Sequence, residues 1–279
     1  MYRYVGEMMV LLKLLLPFLA TVAQALVVLP DGRHVHIIKN NVVLDSVGDF
    51  IVQRVEQLAN DAIAEKGYFS MSIGSGTTVK PLALLAGGSV DFSKVHIFFG
   101  NERTEGDAAG KCAKSGADVF EALELPPSNL HLVPELPAED AAKEYEAAMR
   151  EMPSEIVGVC DSTGLPSLDL CLLGSGADGH CASLYPQSSQ VTCSPGCARV
   201  YLPAEGKGGV TLSIDAISSA RNVLISAAKA SQSDMCRKSL GWSNAATNHN
   251  LPAGMIRTSD GANVEWILSE ESAADLPAM

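Results

Sequence analysis

From residue 29 onward the chain alternates short apolar runs with stretches whose apolar residues recur every three or four positions. VHIIKN (35–40), YFSMSI (68–73), KVHIFFG (94–100), NLHLVP (129–134), LDLCLLG (168–174), VTLSI (210–214), NVLISAA (222–228) and VEWIL (264–268) predict strands. Between them, Asp49 opens a helix that aligns Ile51, Val55, Leu58, Ala62 and Ile63 on one face, and Gly67 ends it. Helices are predicted over 79–85, 108–123, 138–152, 232–240 and 269–275. The run AEDAAKEYEAAMREM is the clearest, rich in strong helix formers with acids in its first turn. Strands alternating with helices predict an α/β fold: a mainly parallel, Rossmann-like sheet with helices on both faces. Residues 29–279 read as one domain, the polar stretch at 153–167 being a long connection within it.

The first 28 residues break this rhythm. Met8 to Leu29 is almost wholly apolar, interrupted by Lys13, Pro17, Thr21 and Gln24, with Arg3 ahead of it and Ala23-Gln24-Ala25 as a cleavage pattern. A cleaved signal or targeting leader (1–28), a membrane anchor and an extension from an early start codon all fit. Lys13 and Pro17 weaken the anchor most. The expected location is cytoplasmic, or the secretory pathway or a plastid if a leader is removed, with no stable membrane contact afterwards.

Charge narrows the partners. The 20 basic and 32 acidic residues leave a net charge of −12, and no Lys/Arg cluster or stripe occurs, which argues against nucleic acid. The seven cysteines are odd in number and form no C-x-x-C pair, so reduced thiols are expected. Cys193 and Cys197 are spaced to pair or bind metal, without a histidine near in sequence.

Residues 172–180, LLGSGADGH, carry the candidate chemistry. Gly174, Gly176 and Gly179 spell G-x-G-x-x-G. A dinucleotide site needs a full helix next and an acid about 20 residues on. Pro186 cuts any helix short and SPGCARV (194–200) holds no acid, so no cofactor is expected. GDAAGKC (106–112) lacks the phosphate-loop spacing, and His34 and His36 alternate in a strand without a third metal ligand in view. What remains is Asp178-Gly179-His180 at a strand's carboxyl end. His180 is a candidate general base working near neutral pH without metal. Asp178 either fixes the tautomer of the ring or only stabilises the turn.

LDLCLLGSGADGHCASLYP resembles the signature of 6-phosphogluconolactonases, roughly FDLxLLGxGxDGHxASLFP. ELPAEDAAKEYEAAMRE, VTLSIDAISSARNVLISA, LPAGMIR and WILSEESAA resemble further segments of that family. After D-G-H the related glucosamine-6-phosphate deaminases continue A-F-N-E-P, whereas this chain has Ala182-Ser183-Leu184-Tyr185-Pro186. The resemblance implies an isomerase/CoA-transferase-like fold and hydrolysis of 6-phospho-D-glucono-1,5-lactone to 6-phospho-D-gluconate, without metal or organic cofactor; a monomer is expected, though sequence does not fix the oligomeric state. It implies that His180, Asp178 and Arg103 are catalytic. Gly74, Ser75, Gly76, Thr77, Asn101, Glu102, Gly176 and Lys207 would bind the phosphosugar lactone.

The chain departs from the family pattern at the phosphate. S-G-G-S-T is here Gly74-Ser75-Gly76-Thr77-Thr78, D-E-R is Asn101-Glu102-Arg103, Gly209 replaces an arginine, and the lysine of T-G-x-x-K has no counterpart in 227–236. Losing two charge-assisted contacts costs about 3–6 kcal/mol unless replaced. Lys207 and Lys229 are the nearest substitutes. A homologue that binds a phosphosugar without turnover, or acts on another sugar, is the alternative.

Overall fold

The computed structural model describes residues 24–39, 46–204, 206–241, 250–258 and 263–277. Residues 1–23 of the expected leader lie outside them. A seven-stranded sheet forms the centre, in the order β1 (Gln24–Val28), β2 (His34–Ile38), β12 (Val264–Ser269), β11 (Val223–Ala227), β8 (Leu170–Gly174), β3 (Phe69–Ile73), β4 (Val95–Phe99). Only β1 runs antiparallel to its neighbour. β3, β4, β11 and β12 are buried at every residue. Because successive side chains point to opposite faces, both faces of these strands are covered, as apolar runs without alternation require. Trp266, Phe69, Phe98 and Phe99 are fully enclosed, each burial stabilising the fold by about 1.5–3 kcal/mol.

Helix α1 (Ser46–Lys66) lays its predicted stripe on this sheet: Ile51, Val55, Leu58 and Ala62 are buried. Gly67 ends it with φ +91°, a left-handed turn that favours glycine, and its N–H reaches Ile63 O at 3.0 Å. Helices α2 (Lys111–Ala122) and α3 (Ala138–Arg150) follow, then the short α4 (Ser189–Thr192) and α5 (Ile214–Ser218), then α6 (Ser233–Leu240) and α7 (Pro252–Met255). A second sheet joins β5 (Asn101–Arg103), β10 (Gly209–Leu212) and β9 (Tyr201–Pro203), all antiparallel, and β6 (Gly158–Val159) pairs antiparallel with β7 (Pro166–Ser167).

Four expected elements differ. Residues 80–85 form a 3₁₀ helix beginning at a proline-containing turn rather than an α-helix. The strand expected at 129–134 is reduced to a single parallel bridge, Ile97 with Leu130, between Pro127 and Pro134. The helix expected at 269–275 is a set of turns, where Ser272 Oγ donates to Ala227 O at 2.6 Å. The strand expected at 210–214 belongs to the small antiparallel sheet. β1 also lies within the stretch read as leader: Leu26, Val27 and Val28 pair with His36, Val35 and His34. Of the two strand histidines, His36 is held in the fold. His36 Nε2 lies 3.0 Å from Glu265 Oε2, and Arg54 donates to the same carboxylate at 2.7 and 2.9 Å.

From β3 the chain moves outward to β4, whereas from β8 it moves the other way, through β11 to β12. The order therefore reverses between β3 and β8. In open parallel sheets a crevice forms outside the carboxyl ends of strands at that point.

Candidate active site

A cleft of about 370 Å³ occupies that position. Gly74, Ser75, Gly76, Thr77 and Thr78 leave β3 and form one wall. Leu172, Leu173, Gly174 and Ser175 close β8, and His180 and Ala182 follow on its loop. Asn101 enters from β5, and Lys229 from the end of β11.

His180 and Asp178 form a pair. His180 Nδ1 lies 2.6 Å from Asp178 Oδ1, and the His180 N–H reaches the same oxygen at 3.2 Å. Partial burial opposes ionisation of Asp178, but hydrogen bonds from the His180 main chain and ring, with the charge on that ring, outweigh it. The carboxyl is held below its usual value. As a carboxylate it accepts the Nδ1 proton, so in the neutral ring Nε2 is the basic nitrogen. The ring packs on Tyr185 at 4.9 Å between centroids, which fixes its plane.

Glycines permit this arrangement. A Cβ at Gly176 would collide with the His180 ring and come within 2.5 Å of Asp178 Oδ1. Gly179 takes φ +86° and lies against Leu251, where Cδ2 would be 2.7 Å from an added Cβ. Ala253 N–H donates to Gly179 O at 3.1 Å, so α7 supports the loop from behind. The G-x-G-x-x-G spacing is thus occupied by turn and dyad geometry.

Other expected site residues divide into two groups. Gly74, Ser75, Gly76, Thr77 and Asn101 line the cleft with His180. Asn101 Nδ2 donates to Ser183 Oγ at 3.0 Å, tying β5 to the histidine loop. Glu102, Arg103 and Lys207 do not line it. Glu102 is buried and accepts from Arg103 N–H at 2.7 Å, Cys112 N–H at 2.8 Å and Ala113 N–H at 2.9 Å, which anchors the start of α2. The Arg103 guanidinium donates to Lys207 O. Lys207 Nζ stands 5.1 Å from the centre of the Tyr185 ring, the ring against which His180 packs.

Lys229 is the one Lys or Arg among the described residues lining the cleft. Gln232, unforeseen from sequence, sets its place. Gln232 Oε1 accepts from the Ala228 and Lys229 N–H groups at 2.9 and 2.8 Å, and Nε2 donates to Ser175 O at 2.6 Å. One buried amide therefore locks the lysine loop to the histidine loop. Among the described residues no group of three or more His, Cys, Asp or Glu is placed to hold a metal ion. A larger hollow of about 640 Å³ opens elsewhere, but its Asp215 and Arg257 are already engaged, the first by Ser194 and Gly196, the second by Asp31.

A switch-point cleft, a glycine-rich wall and a carboxylate-oriented imidazole define an α/β protein equipped for general-base chemistry on a small polar ligand. Residues 44–266 match the model of the glucosamine-6-phosphate isomerases/6-phosphogluconolactonase family, and the chain belongs to that family. A probable 6-phosphogluconolactonase 3, chloroplastic, of Oryza sativa subsp. indica is 33% identical over 150 residues, 50% of this chain and 45% of that protein. The chain thus spans about half the length of that relative. A probable 6-phosphogluconolactonase 2 from the same rice is 27% identical over 250 residues, 84% and 88% of the two chains. Among solved structures, the 6-phosphogluconolactonase of Leishmania guyanensis superposes with a TM-score of 0.65 at 20% identity, covering 88% of this chain and 98% of that one. That of Thermotoga maritima gives 0.62 at 21%, covering 84% and 98%. These two share the fold.

Proposed function

We propose that the cleft hydrolyses 6-phospho-D-glucono-1,5-lactone to 6-phospho-D-gluconate. The observation that carries the reading is the 2.6 Å contact between His180 Nδ1 and Asp178 Oδ1 at the cleft wall. Nε2 of His180 takes a proton from water as its oxygen attacks the lactone carbonyl. The tetrahedral oxyanion is met by main-chain amides of the Gly74–Thr77 turn. Collapse breaks the bond from the carbonyl carbon to the ring oxygen, and His180 returns its proton to that leaving alkoxide. Water and lactone give one hydroxy acid, with no redox change.

Lys229 is the phosphate's partner in this reading. Arg103 and Lys207 act at one remove, positioning Tyr185 against the histidine. The family relationship and the names of the rice relatives support the substrate class. The word chloroplastic in one of those names supports the plastid alternative for location.

The test generates the lactone from glucose 6-phosphate with its dehydrogenase and follows lactone disappearance. The protein is expected to accelerate it, and His180→Ala to abolish the acceleration with folding intact. No acceleration by the wild type at micromolar concentration sinks the proposal; retained activity in the variant removes His180 from the mechanism.

A further inference from the structure

Cys193 and Cys197 bracket the turn that leaves α4. Cys193 closes the helix, its N–H on Ser189 O at 3.3 Å and its Sγ donating to Gln190 O at 3.0 Å. The turn is then gathered by one carboxylate. Asp215 accepts from Ser194 Oγ and from Gly196 N–H, the latter at 2.9 Å. Gly196, at φ +106°, folds the chain back. The Cys193 and Cys197 thiols lie near enough across this turn to interact, Cys193 exposed and Cys197 half-buried with its Sγ 3.8 Å from Arg199 O, and both are free. Cys112, Cys171, Cys181 and Cys236 are buried in the core, and Cys160 sits on a separate loop.

We propose that Cys193 and Cys197 are a dithiol modification site that closes an intramolecular disulfide by exchange with a small-molecule disulfide. The Cys193 thiolate attacks one sulfur of the reagent, breaking its S–S bond and forming a mixed disulfide. The departing thiolate takes up the proton Cys193 released. The Cys197 thiolate then attacks the Cys193 sulfur and expels the second reagent thiol, which is protonated in turn. One reagent disulfide becomes two thiols, and the protein gives up two electrons.

The environments separate this pair from Cys160. Partial desolvation, the neighbouring Cys197 thiol and Asp215 push the Cys193 thiol up to about 11, so its first step is slow at neutral pH. Burial opposes thiolate formation at Cys160 as well, but hydrogen bonds from Ser162 and Thr163 prevail and bring it to about 7. Cys160 reacts first and stops at the mixed disulfide, whereas the pair reacts later and closes. Ser194 and Pro195 also line the larger hollow, so closure fixes one of its walls. The inference is independent of the reaction assigned to the cleft.

The experiment treats the full native chain with glutathione disulfide at mildly alkaline pH, quenches in acid, denatures, alkylates and digests. The peptide carrying residues 193–197 is expected to be lighter by two hydrogen atoms and to accept alkylating reagent only after reduction. Cys197→Ser is expected to trap one glutathione on Cys193. Alkylation of both thiols in the treated wild type, stable glutathione on both, or a crosslink from either to Cys160 overturns the proposal.

Discussion

Gly176 lies directly against the ring of His180. An added Cβ there would strike the imidazole and reach within 2.5 Å of Asp178 Oδ1, the atom that orients it. The middle glycine of G-x-G-x-x-G thus makes room for a side-chain pair, where a dinucleotide fold would use it to admit a pyrophosphate.

Gly176→Ala is expected to displace the dyad without unfolding the chain, because the atoms struck are ends of side chains partly exposed to solvent. A misplacement of about 1 Å at a reacting group costs about 10²-fold, so kcat should fall by about that factor. Steady-state kinetics beside a thermal melt checks this. A variant that is fully active, or one that is unfolded, contradicts it.

Lys229 gives a second prediction, on discrimination between substrates. A charge-assisted contact to phosphate is worth about 1.5–3 kcal/mol, or about 10–150-fold. Lys229→Ala should lower kcat/KM by that factor for the 6-phosphorylated lactone and leave the unphosphorylated lactone nearly unaffected. Equal losses on both substrates would make Lys229 structural. Lys207→Ala, acting only through Tyr185, should not separate the two substrates.

How much of this was legible in sequence depended on whether a local signal existed. LDLCLLG announced β8 because a parallel strand buried on both faces reads as an unbroken apolar run. The histidine loop was legible because Pro186 and the missing acid rule out a dinucleotide use of its glycines, leaving Asp178-Gly179-His180 at the strand's carboxyl end. β1 was hidden because its QALVV continues the apolar run ahead of it and offers no change of pattern. Glu102 reads as a ligand-facing acid in N-E-R, yet three main-chain N–H groups brought by the fold claim its carboxylate. Lys207 and Lys229 look alike in sequence. Only the register at the carboxyl end of β11, set by Gln232, decides between them.

Gly209 stands where the resembled pattern has an arginine, and the structure supplies a reason. It pairs with Arg103 across β5 and β10, so closely that a Cβ would collide with Glu102 O and lie 3.0 Å from Arg103 Cα. Those are main-chain atoms in a sheet and cannot turn aside. Gly209→Ala is expected to cost about 1–3 kcal/mol of stability in chemical denaturation, by overpacking. Gly209→Arg should be no milder and should not tighten binding of the phosphorylated substrate. An arginine variant with full stability and lower KM would refute the steric explanation.

His96 and His131 predict a pH dependence of folding. His96 Nδ1 and His131 Nε2 are 3.0 Å apart, and His131 stacks on Phe98 with centroids 4.2 Å apart. Burial, then the charge of Lys66, lowers His96; burial, then His96, lowers His131 to about 4. An unfolded histidine titrates near 6.5, so below that pH the unfolded chain binds protons that the folded pair refuses. The contribution is whole above about 6.5 and is lost as pH falls toward about 4. Glu265 acts in a lower window: its pKa is depressed because hydrogen bonds from His36 and Arg54 outweigh burial, so its share disappears below the usual carboxylate value. Comparing urea midpoints of the wild type and His131→Gln from pH 7 down to 4.5 isolates the histidine, because the carboxylate contribution is common to both. Replacing His131→Gln should remove about 1–2 kcal/mol of the pH-dependent loss, an allowance that includes screening by the solvent reaching the half-buried ring. Equal slopes for variant and wild type across that window would show that the pair titrates as it does in the unfolded chain.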